Sequence, residues 1–159
     1  MNKLQYSNNK TLKLANVLKY KILMTDENFD FNASIEQMQS YIKIKGAMQV
    51  GPLIQYTRTS IDESGKLDMD IIMMLQCNKF IHNVEQPYSM ESIIRVPNAL
   101  YCRYTGPENM LKFAYDKIQI EAFEQDIKLD DCNYTIFVDN NIEEDVVIAD
   151  VFISRVECI

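Results

Sequence analysis

The chain has no tryptophan, one histidine, and only four each of cysteine, glycine and proline among its 159 residues. Each scarcity excludes something. His82 would have to serve any imidazole-based triad or proton shuttle alone, and it lies in a polar connector where solvation explains it. So little glycine and proline leaves no flexible linker or low-complexity tract, and the glycines do not form a phosphate-binding loop. Cys77, Cys102, Cys132 and Cys158 lack the spacing of metal ligands and are expected to be free, reduced thiols in a cytoplasmic protein. The N-terminal MNKLQYSNNKTLKLANVLKY holds no long apolar run, so neither a signal peptide nor membrane insertion is expected. A basic surface is missing too. The net charge of −7 speaks against direct contact with nucleic acid, which needs a cationic stripe to neutralise phosphates.

What is present is one core's worth of apolar sequence. At 47% hydrophobic residues, the chain is long enough for one core and short for two, so residues 1–159 are expected to form a single domain. LKLANVLKYKILMT (12–25) reads as a strand. Ser34 and Gln37 form a capping-box pattern before Ile35, Met38 and Ile42 at helical spacing, and Gly46 is placed to end that helix. LIQYTRTSI and LDMDIIMMLQC read as the next two strands, with Leu67, Met69, Ile71, Met73 and Leu75 on one face. After a connector over 78–90 the order recurs. A strand spans about 91–104, with Pro97 near its start, and a T-x-x-E pattern at Thr105 and Glu108 opens a helix to about 124. Strands NYTIFVD and VVIADVFISRV follow.

Two β-α-β-β halves, approximately 12–77 and 91–156, result. They predict an α+β fold: an antiparallel sheet with two helices on one face and a groove between the repeated units.

The arrangement resembles the GyrI-like small-molecule-binding domain, the effector-binding domain of multidrug-sensing bacterial regulators. GAMQVGPLIQY after the first helix, VPNALYCRYTG before the second and ADVFIS near the end carry the likeness, from about residue 12 to 156. The resemblance implies a non-enzymatic binding domain holding amphipathic, often cationic, ligands in an aromatic cleft. Fused members carry a helix-turn-helix region, which is not expected here ahead of the first strand. Two family features are absent. Threonine stands at position 135 in Tyr134-Thr135-Ile136-Phe137 where the family often has a glutamate, and the second helix lacks a tryptophan.

The candidate cleft residues are Tyr56, Tyr101, Tyr104, Thr135 and Phe137. By the strand period, Thr135 and Phe137 share a side, whereas Tyr101 and Tyr104 face opposite ways. Without an acid at 135, a compact cation would lack a partner for its charge. Weak binding of cationic dyes is therefore expected, unless Glu121 or Asp150 takes over. A glutamate at 135 is expected to improve that binding if the groove is open and to change nothing if side chains fill it. Asp68 and Asp70 read as a solvated strand face, and Glu121, Glu124 and Asp126 as a solvated helix end. No catalytic residue, metal or cofactor is expected. Two functions remain: a protein-interaction module, inhibitory or accessory, with a degenerate cleft, or an effector-sensing domain for a small neutral or amphipathic ligand. The nine methionines offer adaptable apolar surface to either.

Overall fold

The computed structural model describes residues 3–22, 29–141 and 143–156. Six strands and two helices follow one another as β1 (Lys3–Ile22), α1 (Phe31–Ile44), β2 (Ile54–Ile61), β3 (Leu67–Gln76), β4 (Tyr88–Gly106), α2 (Lys112–Glu124), β5 (Leu129–Asn141) and β6 (Val146–Arg155). No helix among the described residues is long and apolar enough to cross a membrane. The chain divides into two compact units. One is contiguous, Lys13–Ile94; the other is split, Met1–Leu12 with Arg95–Ile159. Both β1 and β4 therefore start in one unit and finish in the other.

In the contiguous unit β3 lies between β1 and β2, antiparallel to both, with Leu18 opposite Leu75 and Tyr56 opposite Ile72. Alternation puts Leu18, Ile22, Ile71, Met73 and Leu75 on the face that packs against Met38 and Ile42 of α1. Leu67 and Met69 were expected on this buried face; both are exposed, because the strand outruns the helix that covers it.

The N-cap of helix α1 lies four residues before the expected one. Asp30 Oδ1 accepts hydrogen bonds from the N–H groups of Asn32 (3.0 Å) and Ala33 (3.3 Å), which leaves Ser34 inside the first turn. Aspartate is at least as good an N-cap as serine. Two aromatic contacts close the unit, with Tyr88 4.6 Å from Tyr41 and 5.8 Å from Tyr20 between ring centroids.

The split unit repeats the layering with different residues. β6 lies between β4 and β5, antiparallel to each. Leu100, Cys102, Tyr104, Val147, Val151 and Ile153 pack against Ala114, Ile118 and Ala122 of α2. The first strand is longer than the expected 12–25 at its N-terminal side and is described only to Ile22; Leu23, Met24 and Thr25 lie outside the described residues. Residues 3–11 carry no hydrophobic period, although Tyr6 packs against this core.

The expected capping box at Thr105 and Glu108 does not form. Thr105 and Gly106 stay in the ladder with Ile148 and Val147, Pro107 is extended, a 3-10 turn covers Glu108–Met110, and α2 starts without a side-chain cap. A residue before proline disfavours helical geometry, so Gly106 stays extended and the threonine hydroxyl never reaches the helix. Pro97 lies inside β4 rather than near its start. Asn98 after it is left-handed (φ 55°), as is Asn16 inside β1 (φ 51°); asparagine tolerates this region best among non-glycine residues.

Cys77 and Cys102 are buried free thiols, and burial pushes both pKa values up. Cys132 is free and half-buried, and Cys158 lies outside the described residues.

The helix ends offer a direct test of backbone strain. Both close in a Schellman motif: Ala47 N–H bonds Ile42 O and Gly46 N–H bonds Lys43 O, while Ile127 N–H bonds Ala122 O and Asp126 N–H bonds Phe123 O. The left-handed residue is Gly46 (φ 79°) in the first case, as expected, but Asp126 (φ 56°) in the second. A side chain in this region costs about 1 kcal/mol, and an acid also opposes the helix dipole. Asp126→Gly is therefore expected to raise stability by about 1 kcal/mol in urea melts. An unchanged or lowered midpoint would mean that the aspartate side chain compensates for its backbone.

Candidate functional site

Strand alternation in the split unit produces two chemically different faces. Towards α2 lie three of the residues singled out from the sequence. Tyr104 is buried and donates its hydroxyl to Pro107 O at 2.5 Å. Thr135 is only 2% exposed and hydrogen-bonds the hydroxyl of Tyr115, a phenol whose pKa burial raises. Phe137 packs on the same core. Thr135 and Phe137 thus share a side, opposite Val151 and Ala149.

The other face holds Tyr101, as the period requires. Here β4 and β6 set Tyr101 opposite Phe152 and Arg103 opposite Asp150; β5 adds Tyr134 beside Phe152 and Ile136 beside Asp150. The rings of Tyr101 and Phe152 lie 5.0 Å apart. Asp150 is 9% exposed and accepts three hydrogen bonds: Arg103 Nε at 2.7 Å, Arg103 Nη2 at 2.9 Å, and the Tyr101 hydroxyl at 2.9 Å. Burial, reinforced by this bond to the carboxylate, pushes the Tyr101 phenol up to about 12. The hydrogen bond to Asp150 holds the Arg103 guanidinium still more firmly protonated. Lys10 Nζ stands over the Tyr101 ring, 5.0 Å from its centroid.

Tyr56, the remaining candidate, belongs to the contiguous unit and is half-buried on β2 opposite Ile72, on the face turned away from α1. The structure therefore groups Tyr104, Thr135 and Phe137 on one face and sets Tyr101 apart with an ion pair that motif reading missed. The signal was there in strand parity: Tyr101-x-Arg103 on one strand and Asp150-x-Phe152 on another alternate in step, but only the register shows that they meet.

Neither acid considered for a cation is free. Asp150 is bound to Arg103, and Glu121 accepts from Lys117 at 2.7 Å, which holds its carboxyl below the usual range. Asp70, half-buried on β3, pairs with Lys21 at 3.4 Å. His82 is exposed against Phe80. Asp130, Asp131 and Cys132 bring their donor atoms within 4.8 Å, but Ser154 already lies 3.5 Å from both the Cys132 sulfur and an Asp130 oxygen.

No family model matches the chain, and no curated protein matches it in sequence. Solved structures do. The crystal structure of the EcmrR C-terminal domain matches with a TM-score of 0.61 at 16% identity, covering 99% of this chain and 98% of that one. The EcmrR chain in the cryo-EM structure of its DNA complex in EcmrR-RPo matches with the same TM-score and identity, covering 98% of this chain and 58% of that one. At this identity the likeness establishes the fold: an antiparallel α+β arrangement of six strands and two helices, as in the EcmrR C-terminal domain.

Proposed function

We propose that the chain is a GyrI-like effector-binding domain that senses a small amphipathic molecule without catalysing a reaction on it. The observation carrying this reading is the fold match along 99% of the chain to the C-terminal domain of EcmrR, a protein also seen bound to DNA. The order strand, helix, strand, strand occurs twice, which we read as a tandem repeat. Tyr101, half-buried and backed by the buried ring of Phe152, supplies aromatic surface for a ligand, and the acids nearby already serve Arg103 and Lys117.

Fluorescence titration with a neutral lipophilic dye, Nile red, and a cationic one, rhodamine 6G, tests the proposal. Saturable binding of the neutral dye is expected, with the cation at least about tenfold weaker, a difference of about 1.4 kcal/mol. If neither dye saturates, the sensing function fails.

A second reading, a protein-interaction module of inhibitory or accessory type, is favoured by α2. Its inner face is buried, yet its outer side also exposes large apolar side chains among charged ones: Phe123 is 88% exposed, Ile120 56% and, two turns earlier, Phe113 40%. Exposed clusters of this kind commonly mark protein contacts.

A further inference from the structure

We propose that the outward edge of Arg103, together with Lys10, receives the anionic group (a carboxylate, sulfonate or phosphate) of a flat amphipathic molecule lying on Tyr101. The inference rests on the effector-binding reading and specifies the ligand class of that site. Arginine carries five N–H donors in a rigid plane. Asp150 engages the edge formed by Nε and Nη2, so the plane is fixed without using all the donors. The ion pair is also lopsided. The Asp150 side chain is 13% exposed and that of Arg103 is 39% exposed, so the acid sits inside and the cation reaches outward.

The phenol of Tyr101 is held in turn by its bond to Asp150 and by its contact with Phe152. An aromatic platform and a guanidinium are thereby pre-oriented, which lowers the ordering cost of binding. Lys10, exposed and over the same ring, supplies a second cation. With one charge of Arg103 offset by Asp150, the cluster keeps one net positive charge in a chain of net charge −7. A cationic ligand would meet that net positive charge; an anion would meet two donors and a ring.

Three pyrene probes with a common ring and a butyl arm separate the outcomes: 1-pyrenebutyrate, 1-pyrenebutanol and the corresponding butyl-trimethylammonium. Titrated by fluorescence into the full chain, the carboxylate is expected to bind about tenfold tighter than the alcohol, and the ammonium weakest. Lys10→Gln removes one cation on an exposed strand residue. Arg103→Lys keeps a charge for Asp150 but loses the second edge. Each should narrow the preference for carboxylate over alcohol to under about threefold, a change of at least about 0.7 kcal/mol. Equal binding of carboxylate and alcohol, tighter binding of the ammonium, or a preference that survives both substitutions would overturn the inference while leaving the effector-binding reading intact. Failure of all three probes to bind would overturn both.

Discussion

Thr135→Glu is expected to remove most of the stability of the chain. Thr135 is 2% exposed, on the helix-facing side of the split unit, with its hydroxyl against that of Tyr115 and Val151 as its cross-strand neighbour. A glutamate there would be larger than the space between strand and helix, and overpacking alone costs about 1–3 kcal/mol. Its carboxylate would be either ionised and unpaired, at several kcal/mol, or driven to protonate. The Tyr115 hydroxyl would also lose the geometry of its present bond, for about another 1–3 kcal/mol. Together these reach about 4 kcal/mol or more, against a typical total of about 5–15 kcal/mol. Urea melts should show a midpoint close to zero denaturant, or no folded baseline. Thr135→Val should cost only about 1–2 kcal/mol, and adding Tyr115→Phe should recover much of it, because both hydroxyls are then gone. A Thr135→Glu protein within about 1 kcal/mol of the parent would show that position 135 opens to solvent. The glutamate common in the family pattern would then be admissible here.

The second large effect concerns the ion pair. Arg103→Leu leaves Asp150 with only the Tyr101 hydroxyl for its carboxylate, in a site where the residue is 9% exposed. Breaking a fully buried pair costs about 3–5 kcal/mol, and a surface pair about 0–1. Arg103 is partly exposed and Asp150 is not, so about 2–3 kcal/mol is expected, between those limits. Replacing both partners, Arg103→Leu with Asp150→Leu, should restore at least half of the loss, since the penalty comes from the orphaned charge rather than from a missing attraction. Equilibrium unfolding of the four proteins in the cycle measures this directly. If the double variant is less stable than Arg103→Leu alone, the carboxylate contributes through some other partner.

These two sites show what was and was not legible in the sequence. Element order was legible because the apolar periods are strong: 3.6 residues through Ile35, Met38 and Ile42, and two through Ile71, Met73 and Leu75. Helix starts were not. Asp30 and Ser34 are both acceptable caps four residues apart, and a capping pattern at Thr105 cannot announce that a proline two residues later holds the strand in its ladder. The sides of the candidate residues were legible from parity, which correctly separated Tyr101 from Tyr104. Their chemical partners were not, because Arg103 and Asp150 are 47 residues apart and meet through strand register alone. Tyr115, which occupies the hydroxyl of Thr135, sits on a helix whose rotation the sequence leaves open, since α2 is apolar on two sides.

The division of β1 and β4 between the units has a consequence for synthesis on the ribosome. Lys13–Ile94 is contiguous, so all its strands and its helix are available as soon as residue 94 clears the exit tunnel. The other unit is not, because its first strand segment, before residue 13, must wait for partners that begin only at Arg95. Folding is thus expected to be vectorial, with a loop of 82 residues closing around an already compact intermediate. Closing so long a loop is slow in an unstructured chain, but prior compaction of the intervening residues shortens its effective length. Limited proteolysis of stalled nascent chains should find residues 13–94 protected before the N-terminal segment is. Simultaneous protection of both would show that the two units form as one cooperative structure.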